Sequence, residues 1–365
     1  MRRRPWRVLL FGLAIALLAI QSWLAALTMS HQGPHDDARS DALTFRPPPP
    51  SPSHCQPVAH QPAVFLSFPS SYNTSQLYHP PQQHVQGQAR CQFLRDPELY
   101  SYHFPHTLQQ LLICFSYWQA HPHQTPYLIT GGGWKPSSTF NEGLWQMLQT
   151  QWGVQIRNFA KPGTAAVPIV HRWEGYKMAS ADDGLQKWRA SVSESSSCGR
   201  RQPRIGLLQR QSTRMWTNVD AVHRALGGWN TTMTTFVNAS FADQVSFFAH
   251  HDVVVGPHGA EWSSLWALPH CGSVLELFPE NYWTPSFFGS LAGLRKVASY
   301  GAVYVGEGMP TLAATQEARQ EARSVSLCVR VDVVVDAVAE MVERWRQCCA
   351  TAAGGGMDER VKEGD

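Results

Sequence analysis

The 365-residue chain carries no run of five or six basic residues beyond its N-terminus, and its formal charge is only +3. A balance that small, at this length, gives no argument for a nucleic-acid or membrane-surface partner. There is no C-x-x-C spacing to suggest zinc, no G-x-S-x-G elbow for a hydrolase, no G-x-x-x-x-G-K-[ST] loop for an NTPase and no complete G-x-G-x-x-G. The sixteen histidines include His79, His84, His103, His106, His121 and His123, but they follow no ligand spacing on a recognisable element, and no metal site is expected.

What is present begins with Arg2, Arg3, Arg4 and Arg7, followed by an uncharged run from Val8 to Ser30. Such a run is long enough to cross a bilayer as a helix. Residues 1–30 therefore read as a cytosolic tail and signal anchor, with the basic side in the cytosol and the rest of the chain lumenal, a type II arrangement. The other reading is a cleaved signal peptide. Against it stand the length of the apolar span and the lack of an Ala-x-Ala site.

A lumenal address agrees with three glycosylation triplets, at Asn73, Asn230 and Asn238. It also agrees with an even set of eight cysteines, which are expected to pair structurally in an oxidising compartment, with connectivity left open. Residues 31–90 hold eleven of the 25 prolines and little apolar periodicity, so they are expected to form a solvated stem. Residues 350–365 read as a disordered tail.

The 43% hydrophobic composition supports a core of at most two ordinary domains, placed at 91–202 and 203–349. In the first, "TLQQLLICFSYW" and "EGLWQMLQTQWG" have helical spacing, and "PYLIT" reads as a strand. The second is more regular. "RIGLLQR" is a strand, "NVDAVHRALGG" a helix capped by Asn218, "TTMTTFV" a strand, and "SFADQVSFFAHH" a helix with Ser240 and Asp243 as its cap. "DVVVG", a short helix over about 259–268, "SVLELF", another helix and "KVASYGAVYV" follow. Strands alternating with helices of about ten residues imply an α/β, doubly wound parallel sheet. An amphipathic helix over 332–347 closes the domain, with Val334, Val338, Met341, Val342 and Trp345 on one stripe.

In open α/β sheets ligands bind beyond the carboxyl ends of the strands. Arg210, His258 and Glu276 all fall on that rim. The loop "GPHGA" feeds a helix N-terminus suited to an anion, where Gly259 permits close approach and Ala260 begins the helix. Arg210 and Arg214 add guanidinium forks that match phosphate oxygens. Together these residues outline a diphosphate site, and Glu276 is placed where a carboxylate could accept from a ribose diol. No D-x-D triplet occurs, so a donor diphosphate would be neutralised without metal. Each residue also has an ordinary structural role open to it: a surface arginine, a capping histidine, a paired glutamate.

"LLQRQSTRMWTN", followed by "VVVGPHGAEWSSLWALPHCGSVLELFP", resembles glycosyltransferase family 61, most clearly over about 204–304. The resemblance implies a GT-B-like fold of two Rossmann-type domains, with an acceptor-side domain before the nucleotide-sugar domain. Arg210, Arg214, His258, Gly259 and Ala260 match the family's phosphate-side positions, and Glu276 its strand-end acid. It further implies an inverting transfer from a UDP-sugar, of the UDP-xylose or UDP-GlcNAc type, to a glycan or glycoprotein in the Golgi or endoplasmic reticulum. No cofactor is expected beyond that donor substrate. A catalytically inactive glycan- or protein-binding module of the same fold is the alternative. Glu142, Glu174 and Asp183 are available as general base, and nothing in the sequence selects among them. The family usually follows histidine-glycine-alanine with a small residue and Leu, whereas this chain has Glu261 and Trp262. A carboxylate there would oppose bound diphosphate by about 1–2 kcal/mol unless the helix turns it away.

Overall fold

The computed structural model describes residues 55, 62–68, 87–93, 107, 111, 114, 118, 121–131, 138–159, 167–169 and 197–354. The apolar run at 8–30, Asn73, Glu174, Asp183 and residues 355–365 lie outside them. Among the described residues no helix is long and apolar enough to cross a membrane.

Among the described residues, strand β1 (Val64–Leu66) comes first. Strands β2 (Gln88–Phe93), β3 (Thr125–Gly131), β4 (Gln155–Phe159) and β5 (Val167–Ile169) then form an all-parallel sheet in the order β4-β3-β2-β5. Helix α1 (Thr139–Trp152) connects β3 to β4. The hydroxyl of Ser138 caps its start by accepting from the Asn141 N–H, and Gly153 ends it at φ 63°, a left-handed value that glycine adopts without steric cost. Leu144, Trp145 and Leu148 supply its buried face. Residues 107, 111, 114 and 118 are helical and buried; Cys114 is bonded to Cys91 of β2, and Trp118 donates to the Ala89 carbonyl.

The larger sheet contains β6 (Arg204–Gln209), β7 (Asn230–Thr235), β8 (Val253–Pro257), β9 (Ser273–Pro279) and β10 (Ser299–Val305), in the order β1-β10-β9-β8-β6-β7. All are parallel except β1, which pairs antiparallel with β10. The chain runs from β6 out to β7 and returns to β8 on the other side of β6. The order therefore reverses between β6 and β8, the position where doubly wound sheets open a crevice at their carboxyl edge.

Every residue of β8, β9 and β10 is buried, because both faces are covered. Helices α2 (Val219–Ala225) and α6 (Val331–Gly354) pack on one face. Helix α3 (Phe241–His250), a 3-10 helix (Ala260–Ala267) and helix α4 (Ser286–Arg295) pack on the other. Val334, Val338, Met341, Val342 and Trp345 are all buried on α6, each contributing roughly 1.5–3 kcal/mol of apolar burial. The two sheets meet where Gly143 of α1 lies so close to Phe241 of α3 that a Cβ on the glycine would overlap the ring.

Three local expectations change. Asn218 does not cap α2 with its side chain. Its amide instead bonds the backbone of Val329 in both directions, at 2.7 and 3.1 Å, clamping the approach to α6. The turn after β8 is 3-10 rather than α-helical. Within the segment expected to be a solvated stem, β1 extends the large sheet and Cys55 is bonded to Cys328. The other cysteines pair as Cys198–Cys349 and Cys271–Cys348, which leaves none free.

Candidate active site

Arg210 and His258 flank the point where the strand order reverses, immediately after β6 and β8. The loop after β6 is shaped by Gln209, whose amide oxygen accepts from the backbone N–H groups of Arg210 and Trp216 while its nitrogen donates to the Trp216 carbonyl. That bracket bends the chain through Arg214, held at φ 54°, and turns both arginines into the crevice. Arg210 is held by Nε to the Thr213 carbonyl at 2.9 Å and by Nη2 to the Thr213 hydroxyl at 3.2 Å. Its Nη1 bonds the carboxylate of Glu261.

Glu261 therefore turns toward the anion position rather than away from it. The pair sits directly over Gly259, where an added Cβ would overlap Arg210 Nη1 and Glu261 Oε2. Gly259 has ordinary extended backbone angles, so what a larger residue would disturb here is the placement of these two side-chain ends. Ala260 is exposed beside it.

Arg214 is only 4% exposed, and its Nε and Nη1 are buried with no hydrogen-bond partner. Burial, with Arg210 and Arg323 adding like charge, pushes its pKa down to about 9. Its guanidinium carbon lies 5.9 Å from the Tyr282 ring centroid, and that of Arg323 lies at the same distance from the same ring. Arg323 comes from helix α5 (Gln316–Ser324).

His258 is enclosed by Phe278, Tyr282, Phe287 and Phe288, with centroid distances of 5.1 to 5.9 Å. Its Nδ1 is 2.6 Å from Oε1 of Glu276, and the Tyr300 hydroxyl donates to the other carboxyl oxygen. Register explains the trio. Glu276 stands opposite Gly256 on β8 and Ala302 on β10, so it shares a face with His258 two residues beyond Gly256 and with Tyr300 two residues before Ala302. Burial raises the Glu276 pKa to about 8, against the opposing effects of the Tyr300 bond and Arg214. Burial and the three nearby arginines hold His258 well below its ordinary value, so its ring is neutral. Glu276 is 0% exposed with both oxygens engaged. It stands behind the histidine, not at the surface where a ribose diol was expected to meet it, because its strand is buried on both faces.

Glu142 is exposed in the first turn of α1, on the other sheet. Asn230 and Asn238 are exposed at the start of the edge strand β7 and in the turn after it. Among the described residues, one group could offer metal ligands, Cys198, His270 and Cys271, but both sulfurs are in disulfides. The sequence reading missed Tyr282, Tyr300, Thr213 and Arg323. The two tyrosines sit in aromatic-rich stretches that look like core, and α5 was not foreseen as an element at all.

A mixed α/β fold with parallel sheets, and cationic side chains converging at a carboxyl-edge switch point, fits a Rossmann-like enzyme whose crevice is suited to an anion. The family model for glycosyltransferase 61 matches residues 74–274, more than half of the chain. The chain belongs to that family and is a glycosyltransferase. No curated protein matches the chain. Arg210, Arg214, His258, Gly259 and Ala260 fall inside the matched stretch, whereas Glu276, Tyr282, Tyr300 and Arg323 lie beyond it.

Proposed function

We propose that this glycosyltransferase moves a sugar, with inversion and without metal, from a UDP-sugar of the UDP-xylose or UDP-GlcNAc type to a glycan or glycoprotein acceptor. The observation that carries this reading is Arg214, a guanidinium retained in the crevice with two nitrogens unpaired. Leaving such donors buried without partners costs about 1–3 kcal/mol, a cost that a diphosphate would reverse. Arg210 and Arg214 hold the phosphates, and the departing nucleotide diphosphate is stabilised by groups already in place. A proton on Glu276 directed at Nδ1 makes Nε2 of the neutral His258 ring a donor toward a phosphate oxygen. In this role Glu276 acts through His258.

The acceptor hydroxyl attacks the anomeric carbon in one displacement, and a base removes its proton. Glu142, Glu174 and Asp183 remain the proposed choices for that base. The arrangement we favour is GT-B-like, with the smaller sheet on the acceptor side. Four disulfides support an oxidising lumen, and the uncharged run at 8–30 supports a type II anchor in a Golgi or endoplasmic-reticulum membrane. The exposed positions of Asn230 and Asn238 suit glycan attachment there.

Calorimetry with UDP in excess EDTA tests the donor reading: binding is expected, and its absence, or its dependence on divalent metal, would overturn it. The Arg210–Glu261 pair favours one second reading, a site that binds nucleotide without turnover. Release of UDP from a panel of UDP-sugars separates the two.

A further inference from the structure

Three guanidinium groups converge on this crevice, from Arg210, Arg214 and Arg323, and each acts on His258 as a positive charge. Two carboxyl groups are near them. Glu276 is buried and committed to His258 and Tyr300. Among the described residues, Glu261 is the carboxylate that pairs with an arginine of this crevice, Arg210.

Arg214 and Arg323 share the Tyr282 ring instead. The backbone that carries that ring is held in place: the Trp283 N–H donates to the Thr311 carbonyl at 2.9 Å, the Ala313 N–H donates to the Asn281 carbonyl at 2.9 Å, and Tyr282 bridges to Leu312. The same loop leads into α5, whose start is capped by Thr315 and whose Ala322 is buried. Arg323, half-buried beside that anchor, is thus delivered to the site by packed structure. Its neighbour one turn earlier, Arg319, is already bonded to the Ala313 carbonyl.

We propose that Glu261 is a tethered counter-ion standing in for a phosphate on Arg210, and that Arg323 is the third arginine of the site, joining Arg214 to receive the incoming diphosphate. The inference rests on the reading of this crevice as a diphosphate site. It adds two elements: an internal competitor that the donor must displace, and a ligand from a helix beyond the matched family region. In the empty site the Glu261 carboxylate offsets one of three mutually repelling charges. In the filled site the diphosphate takes that place and pairs the two nitrogens of Arg214 left open.

The test is calorimetry on the full chain in EDTA with two probes, inorganic pyrophosphate and UDP, for wild type, Glu261→Gln, Arg323→Gln and Arg323→Lys. Loss of one charge-assisted contact corresponds to about ten-fold in affinity. Glu261→Gln should bind pyrophosphate about ten-fold more tightly. Arg323→Gln should bind it about ten-fold more weakly, with Arg323→Lys between the two. Weaker or unchanged binding by Glu261→Gln overturns the counter-ion, and unchanged binding by a folded Arg323→Gln or Arg323→Lys overturns the third arginine. If UDP binds wild type but the variants do not differ, the donor reading survives and this inference fails. If pyrophosphate binds and follows the series while UDP does not bind, the inference survives and the UDP reading fails. If neither probe binds wild type or Glu261→Gln, both fail.

Discussion

Nδ1 of His258 lies 2.6 Å from Oε1 of Glu276, inside a core layer where the carboxyl group has no exposure at all. Which of the two carries the proton decides what the other ring nitrogen presents to a ligand, and that choice can be read from stability. The unfolded chain releases the Glu276 proton near its ordinary value of 4.5, the folded chain near 8. Between these limits the folded state holds more protons, so stability falls as pH rises. The depressed His258 works the opposite way, removing stability as pH falls below about 6.5. His251, also lowered by burial, adds to the His258 slope, so below about 6.5 the histidines oppose Glu276, and above it the Glu276 slope remains. The wild-type Tm should therefore drop from pH 6.5 to 8, and Glu276→Gln should remove that drop. A flat wild-type profile would mean an ionised Glu276 accepting from Nδ1–H.

Gly259→Ala places a methyl group in the space of Arg210 Nη1 and Glu261 Oε2. The φ of 177° at this residue is open to alanine, so the backbone can remain as it is. The expected outcome is a Tm within about 2 °C of wild type with UDP affinity reduced at least ten-fold. Unaltered affinity would show that the Arg210 side chain can leave the glycine without loss.

Arg214→Met keeps the left-handed backbone cost at this position but removes two buried nitrogens without partners. The apo protein should gain about 1 kcal/mol, seen as a higher Tm, while UDP binding is lost. A lower Tm with retained binding would contradict both the energetic and the ligand role.

Replacing Cys55 and Cys328 together with alanine opens a link spanning 273 residues. Loss of about 2–4 kcal/mol is expected, with faster backbone amide exchange in β1 than in β10. Equal exchange in the two strands would show that pairing to β10 holds β1 without the disulfide.

The order of elements from β6 to β10 was legible because each buried strand is a short apolar run and each helix has a periodic face or a cap, such as Ser240 with Asp243, whose reciprocal bonds form as expected. The rim positions of Arg210 and His258 were legible for the same reason, since strand ends locate a rim. What was not legible depended on contacts between distant parts of the chain. Asn218 had a local cap available and took Val329 instead. Glu276 was assigned to the rim by its place in the sequence, but its side chain takes the inner face, where Tyr300 from the next strand waits. Arg323 sits on a strongly charged helix without a long apolar stripe, so periodicity could not find it. A proline-rich composition concealed β1, which needs only three residues once β10 offers an edge.

That short strand alters where the folded unit begins. Phe68, just beyond it, stacks edge-on against Tyr300 at 5.3 Å and covers Gly289 of α4. A fragment started at residue 91, where composition puts the boundary, would strip β1 from β10 and leave the outer edge at Tyr300–Ala302 unpaired, an invitation to intermolecular strand addition. It would also leave Cys328 as a loose thiol and uncover the tyrosine that bonds Glu276. Insoluble or inactive material from such a fragment would report on the missing edge and not on the chemistry of the crevice, so a soluble form should retain the chain from before Cys55.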